Sequence, residues 1–338
     1  MNDYSSINKE DLKILFRNLI KKSIAVIGDF CLDAYWIIDP EGSEISLETG
    51  LSTRAVRKQR YAPGGAGNVA NNLKQLGVGR VKTFGVIGKD PFGSELKKQL
   101  KELGCDTSSL LVQTESWETS TYAKPLLNSK EESRIDFGSD NLLSDEIADR
   151  LLNLLESEIE EYDLVVINQQ LKKGLHQKSF PKKLQEMICS NQSCSFIADC
   201  RDPEISYSKV HYKMNENEAQ KRGLIKSNDK DFTLSKDKLS SGIYNNLFIS
   251  KGSDGCLVLN KSNVFEIPTP MGIRYVDSVG AGDSMLSGIS VSLCSGWDSL
   301  SCGLVGSLTA AVTVQKNFQT GTANPKEIMK ILDQQFST

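Results

Sequence analysis

The sequence has few residues of the kinds that build metal centres and disulfide frameworks. It contains only two histidines, His176 and His211, and its eight cysteines form no CxxC pair. Structural zinc sites require closely spaced ligands of these two types, and disulfide frameworks are typical of much shorter secreted chains. We therefore expect reduced, mostly buried thiols and no zinc site.

Long apolar runs and a strong excess of one charge are also missing. No run is long enough to span a membrane, and the first six residues, Met-Asn-Asp-Tyr-Ser-Ser, are unlike a signal peptide. The formal net charge of −3 gives no reason to expect nucleic acid or an anionic membrane as a partner. The sequence thus predicts a globular protein of the cytoplasm.

Short apolar runs alternate with helical patterns along the chain, which is typical of an α/β fold. Two β-prone stretches, within residues 34–62 and 109–138, interrupt this alternation. We expect residues 1–338 to form a single domain, with a central, mostly parallel sheet and a small antiparallel flap built from these stretches. The runs that predict buried strands of the central sheet are residues 24–28, 81–87, 163–168, 195–199 and 210–214.

A glycine turn at residues 277–283 (Asp-Ser-Val-Gly-Ala-Gly-Asp) precedes the apolar run 285–293 and predicts the start of a buried helix. Glycines leave backbone N–H groups accessible, and a helix start suits a bound phosphate. Asp283 would lie beside that phosphate, where its carboxylate could take a proton from an attacking hydroxyl. A capped helix without chemistry remains the alternative, because aspartate is common in any first turn. No GxxxxGK[ST] motif is present, which excludes a P-loop protein.

Acidic and amide residues also follow predicted strands and glycines, at positions where open α/β sheets bind ligands. Asp29 and Asp33 could accept hydrogen bonds from sugar hydroxyls, or they could be solvated loop acids. Asn68 ends a glycine-rich segment, residues 63–68, and offers an amide at a helix start. Residues 65–70 match the GxGxxA pattern of dinucleotide-binding proteins, but no core strand of a first βαβ unit directly precedes them.

Three further segments have both a functional and a structural interpretation. Asn215 and Glu218 lie on one face of a helix start, where they could order a hydrated Mg²⁺ or form a helix cap. The loop 251–255 could border a nucleotide or connect a hairpin. The basic stretch 54–60 could hold an anionic group of a substrate or form a solvated edge strand.

Taken in order, these motifs resemble those of the ribokinase-like sugar kinases, the PfkB family, over nearly the whole chain. Residues 28–36 are further similar to the kinase half of bacterial D-glycero-β-D-manno-heptose 7-phosphate kinases of the ADP-heptose pathway. The chain departs from those kinases at residues 47–50, where they carry a proline-rich segment, and no nucleotidyltransferase half is expected in these 338 residues. The matching segments are Gly-Asp…Asp at 28–33, Gly-Gly-Ala-Gly-Asn at 64–68, Gly-Val-Ile-Gly-Lys-Asp-Pro-Phe-Gly at 85–93, Asn-Glu-Asn-Glu at 215–218 and Asp-Ser-Val-Gly-Ala-Gly-Asp at 277–283.

The resemblance implies a three-layer α/β/α sandwich with a lid, and ATP-dependent phosphoryl transfer to a small-molecule sugar or sugar phosphate. It also implies a homodimer formed through the lid. Asp283 would be the catalytic base, and the amides of Gly280, Ala281 and Gly282 would form the anion hole. The remaining implied positions are Asp29, Asp33, Gly64, Gly65, Asn68 and Asn168 for the sugar; Asn215, Ser250, Lys251, Gly252, Gly255 and Asn317 for the nucleotide; Glu218 for Mg²⁺ through water; and Asp277 for a monovalent cation such as K⁺.

Three other functions stay open at this point. A fructokinase-like or nucleoside-directed kinase of the same fold would share the phosphate machinery and differ on the lid side. A dinucleotide-dependent oxidoreductase would use residues 65–70, and a non-catalytic sugar-binding protein would keep the scaffold without turnover. The sequence does not identify the sugar, because specificity depends on flap side chains whose neighbours are set only in the folded protein.

Overall fold

The computed structural model describes residues 4–128, 130–191, 193–226, 232–316 and 321–336. Asn317, predicted to contact the nucleotide, lies outside the described residues. In chain order the strands are β1 (Ser23–Gly28), β2 (Phe30–Asp39), β3 (Ala55–Gly65), β4 (Arg80–Gly88), β5 (Leu110–Gln113), β6 (Thr121–Leu127), β7 (Lys130–Glu131), β8 (Ile135–Phe137), β9 (Leu164–Gln169), β10 (Ser195–Cys200), β11 (Val210–Asn215), β12 (Tyr244–Ser250), β13 (Cys256–Leu259) and β14 (Val264–Ile267). The helices are α1 (Lys9–Asn18), α2 (Ala66–Leu76), α3 (Pro91–Glu102), α4 (Asp145–Glu158), α5 (Phe180–Ser190), α6 (Glu216–Lys221), α7 (Thr233–Ser240), α8 (Ala281–Leu293), α9 (Ser299–Thr313) and α10 (Pro325–Gln334).

Of the described strands, nine form the larger sheet, in the order β14-β13-β12-β11-β10-β9-β1-β4-β5. The strands from β12 to β5 run parallel, and β13 and β14 extend the sheet antiparallel at one edge. The central strand β1 pairs with β9 and β4, so that Ile24 lies opposite Leu164 on one side and Val81 on the other. Its apolar run is buried because helices cover both faces of a parallel sheet.

Two layers of helices enclose this sheet. Along β1, Val26 belongs to a hydrophobic cluster with residues of α1, α2, α8, α9 and α10, whereas its neighbour Ile27 belongs to a second cluster with residues of α4 and α5. This alternation follows from the two-residue period of a strand. The predicted three-layer α/β/α architecture with a mostly parallel central sheet is therefore confirmed.

The smaller sheet forms the flap, with the strand order β3-β2-β6-β7 and with β8 paired to β6. Its pairings are antiparallel, as predicted, except that β2 runs parallel to β6. The assignment of residues 110–112 to the flap was wrong: β5 pairs with β4 of the larger sheet, with Leu110 opposite Gly85. A strand of only four residues is too short for its periodicity to show which sheet it joins.

Two helices rich in small residues bring the glycine turn to the carboxyl edge of the larger sheet. α8 and α9 approach closely because Gly288 places no side chain between them; a Cβ there would lie 2.4 Å from Thr309 Oγ1. α8 also contacts α2 and β9. Although α8 and α9 are largely apolar, no helix in the described ranges has the length and hydropathy needed to cross a membrane. The glycine turn is thus attached to one of the most buried parts of the molecule.

Candidate active site

The start of α8 presents backbone donors beside a pocket. Gly280 precedes the helix with a φ of +80°, a left-handed conformation that favours glycine, and no side chain caps the helix. The Ala281 N–H donates to the Ser278 carbonyl at 3.2 Å. In the part of the chain that the structure describes, the N–H groups of Gly280, Gly282 and Asp283 have no acceptor. The anion hole of Gly280, Ala281 and Gly282 stays a prediction: two of its three N–H groups have no acceptor among the described residues, and that of Ala281 is engaged in the turn.

Asp283 lies in the first turn of α8 and is held from α2. Its Oδ2 accepts a hydrogen bond from Asn68 Nδ2 at 2.8 Å, and Asn68 is fully buried. Burial raises the pKa of Asp283 from its usual 3.8 to about 6. The hydrogen bond from Asn68 and the charge of Lys213 oppose this rise of the pKa, whereas Asp199 adds to it. A carboxylate with this pKa is ionised at neutral pH and is basic enough to accept a proton.

A buried ion pair lies beneath the glycine turn. Lys213 Nζ on β11 is 2.8 Å from Asp199 Oδ2 on β10, and both side chains are almost inaccessible. Burial lowers the pKa of Lys213, but the Asp199 carboxylate, together with those of Glu218 and Asp283, outweighs burial and raises this pKa. The cation reaches the turn because Gly282 has no side chain; a Cβ there would lie 2.9 Å from Lys213 Nζ. Sequence analysis missed both residues, although a single lysine in the apolar run 210–214 was a usable signal.

Asp29 anchors a loop in this structure. Its two carboxylate oxygens accept hydrogen bonds from the backbone N–H groups of Gln170, Leu171 and Leu175, at 2.6 to 2.8 Å. The side chain is 3% exposed, and Gly174 is packed against it so closely that a Cβ would lie 2.1 Å from Oδ1. These contacts show that Asp29 shapes the loop between β9 and α5, and its role in sugar binding stays a prediction.

The flap contains a second buried ion pair. Asp33 Oδ1 on β2 lies 2.8 Å from Lys124 Nζ on β6. Burial disfavours the ammonium of Lys124, but Asp33 outweighs this effect and raises its pKa. Gly64 on β3 pairs with Cys31 and lies diagonally across from Asp33, so that a Cβ at Gly64 would be 3.2 Å from Asp33 Oδ2. Gly65 has a left-handed φ of +55°. Asp33 is therefore a neutralised carboxylate, and its sugar-binding role stays a prediction together with those of Gly64 and Gly65.

Asn168 is a buried amide without a partner. Neither its Nδ2 nor its Oδ1 finds a hydrogen bond within the described ranges, and its exposure is 0%. It is the last residue but one of β9 and lies on the same face as Val166, which belongs to a hydrophobic cluster with residues of α2 and α8. Burying an unpaired amide costs free energy, which favours a ligand or water beside it. The predicted contact of Asn168 with a sugar stays a prediction.

The helix-cap interpretation of Asn215 and Glu218 is observed. Asn215 Oδ1 accepts from the Glu218 N–H at 2.9 Å, and Glu218 Oε2 accepts from the Asn215 N–H at 2.8 Å. The other Glu218 carboxylate oxygen has no partner among the residues described, which fits an ion bound mainly through water. Asp277 Oδ1 accepts from the Val279 N–H at 2.9 Å. No three His, Cys, Asp or Glu side chains of the described chain gather as a metal site.

A pocket of about 140 Å³ opens beside the glycine turn. Ser250, Gly252 and Gly255, predicted to border a nucleotide, line it, whereas Lys251 does not. Gly255 is required by the loop geometry, because its φ is +95° and a Cβ would lie 2.0 Å from the Ile267 carbonyl oxygen. Polar residues of the turns line one part of the pocket, and apolar side chains line another. Sequence analysis did not predict the apolar part. The further lining residues are Thr269, Pro270, Tyr275, Ser278, Ala281, Gly282, Met285, Ser307, Ala310, Ala311 and Val314.

The GxGxxA match at residues 65–70 lies where β3 meets α2. β3 belongs to the flap and runs antiparallel to β2. A dinucleotide fold needs a strand of its parallel sheet at this place. The structure therefore argues against an oxidoreductase that uses these residues.

Comparison with known proteins gives a consistent assignment of family. The model described as "pfkB family carbohydrate kinase" matches residues 21–327. "Bifunctional protein HldE" of Trichlorobacter lovleyi is 29% identical over 332 residues, which cover 96% of this chain and 65% of that protein. The HldE protein of Sulfurimonas denitrificans is 28% identical over 298 residues, covering 87% of this chain and 61% of its own. The chain thus spans less than two thirds of each relative.

Solved structures share the fold. Escherichia coli phosphofructokinase-2 in complex with potassium superposes with a TM-score of 0.70 at 18% identity, over 92% of this chain and 98% of that chain. Arabidopsis thaliana ribokinase complexed with ribose and ATP gives a TM-score of 0.66 at 16% identity, over 92% and 98% of the two chains. At these identities the structures establish only the similarity of fold.

Proposed function

This chain belongs to the pfkB family of carbohydrate kinases, and we propose that Asp283 is the base with which it phosphorylates a sugar or sugar phosphate. As a member of that family it is an ATP-dependent carbohydrate kinase. The observation that carries the residue assignment is the environment of Asp283. It combines the glycine turn, the hydrogen bond from Asn68 and a pKa of about 6.

In the proposed reaction the acceptor hydroxyl gives its proton to Asp283 while its oxygen attacks the γ-phosphorus of ATP. The bond from the γ-phosphorus to the oxygen that bridges it to the β-phosphate breaks, and ADP leaves with that oxygen. Phosphoryl transfer depends on positioning and charge neutralisation more than on covalent chemistry of the protein. The N–H groups of Gly280 and Gly282 would receive the migrating phosphoryl group, because no acceptor within the described residues occupies them. Lys213 would add a positive charge from below the turn.

The residues present also fit the expected ions. A hydrated Mg²⁺ supplies charge to the nucleotide phosphates and typically uses one or two carboxylates with several waters. Glu218 has one carboxylate oxygen available for this, while the other caps α6. Asp277, in the glycine turn, is our candidate for contact with a monovalent cation such as K⁺.

We further propose heptose 7-phosphate as the first acceptor to test, with phosphorylation at C1. Two observations support it: the similarity of residues 28–36 to heptose kinases, and the similarity of most of the chain to the bifunctional HldE proteins. An ATP-consumption screen over sugars, sugar phosphates and nucleosides tests this choice. Turnover with unphosphorylated sugars or nucleosides alone would instead favour the fructokinase-like or nucleoside-directed alternatives.

We propose that two copies of the chain associate through the flap. The flap and its connecting loop expose several large apolar side chains, which water solvates poorly. Leu47→Glu with Leu51→Glu should convert a dimer into a monomer in sedimentation velocity, whereas a wild-type protein that sediments as a monomer contradicts the proposal. The exposed apolar side chains are Ile45, Leu47, Leu51, Val56 and Ile135.

The cytoplasmic location stays a prediction.

The base is tested with Asp283→Asn. We expect kcat to fall by about two to four decades, the usual contribution of a general base, while the affinity for ATP changes little. Asp11→Asn is the matched control, because Asp11 is an exposed acid in the first turn of α1 and lies outside the proposed site. Equal turnover of Asp283→Asn and wild type would remove Asp283 from the mechanism.

A further inference from the structure

A row of four buried hydrogen bonds ends at Asp283. Thr313 Oγ1 on α9 donates to Ser284 Oγ on α8 at 2.7 Å, and Ser284 Oγ donates to Asn72 Oδ1 on α2 at 2.8 Å. Asn72 Nδ2 donates to Asn68 Oδ1 at 3.2 Å and to the Asn68 carbonyl at 2.9 Å. Asn68 Nδ2 then donates to Asp283 Oδ2 at 2.8 Å. The four residues before Asp283 are at most 1% exposed.

Every bond in this row points the same way, and the direction has a structural cause. A carboxamide has one accepting and one donating end, so the bond from Asn72 to Asn68 Oδ1 turns the Asn68 N–H group toward Asp283. Ser284 Oγ donates to Asn72 Oδ1 at 2.8 Å in preference to the Gly321 carbonyl at 3.3 Å. Thr313 Oγ1 likewise lies nearer to Ser284 Oγ, at 2.7 Å, than to the Thr309 carbonyl, at 3.3 Å. Aligned hydrogen bonds in a dry interior strengthen one another.

We propose that Asn72 is a positioning residue for the phosphoryl transfer: it orients the Asn68 amide so that a donor, not an acceptor, faces Asp283. This inference rests on the proposed function, since it concerns the base of that reaction. Without Asn72 the Asn68 amide is free to turn over. Its Oδ1 would then face the Asp283 carboxylate, and two acceptors in contact repel each other.

Acid–base behaviour is the readout that a merely structural role would not change. Among the described residues, the charged groups that face Asp283 are Lys213 on β11, Asp199 on β10 and Arg201 just after β10. The thiol of Cys31 on β2 also interacts with Asp283, and burial raises the pKa of that thiol. α2 contributes the neutral Asn68 at this place. All three charges are kept when the row is interrupted at Asn72, so a shift of the pH profile reports the orientation of the amide.

The test compares Asn72→Leu and Ser284→Ala with Ser290→Ala. Ser290 is a matched control, because it is a buried serine of α8 whose hydroxyl, among the residues described, donates only to the Leu286 carbonyl of its own helix. We expect both test variants to lower kcat about tenfold with little change in KM for ATP. We expect the acidic limb of kcat/KM to move about one pH unit upward, the shift that corresponds to a tenfold change. Ser290→Ala should match the wild type.

A second pair of variants, at Thr313, tests the inference if Asn72→Leu or Ser284→Ala fails to fold. Thr313→Val removes the first donor of the row, and we expect it to move the acidic limb of kcat/KM upward by less than Asn72→Leu does. Thr313→Ser keeps this donor, and its pH profile should match that of the wild type. An acidic limb unchanged in Asn72→Leu and Ser284→Ala, or shifted equally in Ser290→Ala, would overturn the inference. Full activity of Asp283→Asn would instead overturn the proposed function, so the two failures are distinguishable.

Discussion

Asp283→Asn is expected to make the protein more stable at pH 8 while it abolishes most of the activity. The pKa of Asp283 rises from 3.8 to about 6 on folding. Above pH 3.8 the unfolded chain has already released this proton, whereas the folded protein holds it until about pH 6. Stability contributed by the protonated carboxyl is therefore lost as the pH rises from about 4 to about 6. Above about pH 6 the carboxyl is ionised in both states, and the free-energy cost of burying the carboxylate no longer changes with pH.

The size of the effect follows from the same shift. A difference of about two pKa units corresponds to about 3 kcal/mol, which is the largest gain expected from Asp283→Asn at pH 8. At pH 5 only part of the folded carboxyl is ionised, and the gain is expected to shrink to roughly 1.5 kcal/mol. Asparagine keeps an oxygen that can accept the hydrogen bond from Asn68.

The assay is urea denaturation of the wild type and variant at pH 5 and pH 8. Asp199→Asn provides a control of opposite sign, because it leaves Lys213 charged and buried without its partner. That variant should lose roughly 3–5 kcal/mol. If Asp283→Asn does not raise the free energy of unfolding, or raises it equally at the two pH values, the argument that burial raises the pKa of this carboxyl is refuted.

Three other changes test the site. kcat/KM at pH 5 should be about a tenth of its plateau, since Asp283 must be unprotonated to act as a base; a flat profile from pH 5 to 8 contradicts this. Lys213→Met should lower kcat by about a hundredfold in a coupled ADP-release assay, as for loss of one charge-stabilising donor, and unchanged turnover would remove Lys213 from the site. Gly174→Ala should cost about 1–3 kcal/mol in urea denaturation, because its Cβ meets the Asp29 carboxylate; unaltered stability would show that the loop moves aside freely.

Local patterns were sufficient to predict the frame of the molecule. The apolar run 24–28 forms β1, and the helix expected after the glycine turn is α8. These predictions succeed because burial of short apolar runs and the left-handed conformation of a residue such as Gly280 are properties of a few neighbouring residues. The strand at residues 110–113 was placed in the wrong sheet, because its partner is chosen by contacts distant in sequence.

The roles of polar residues were less accessible from the sequence. Asp29 looked like a free carboxylate beside a sheet edge, yet it holds three N–H groups of residues more than 140 positions away. Asp33 is neutralised by Lys124 on another strand. A local motif shows which groups a side chain carries, but the partners that occupy those groups come from other elements.

The sequence by itself determined the α/β frame, the family and the position of a carboxylate in a glycine turn. Only the tertiary structure decided that the partly buried carboxyl of Asp283 has a raised pKa, that Asn68 donates to it and that the Lys213–Asp199 pair lies below it. The reason is physical: backbone preference is set by adjacent residues, whereas desolvation and charge pairing depend on every element that packs around a group.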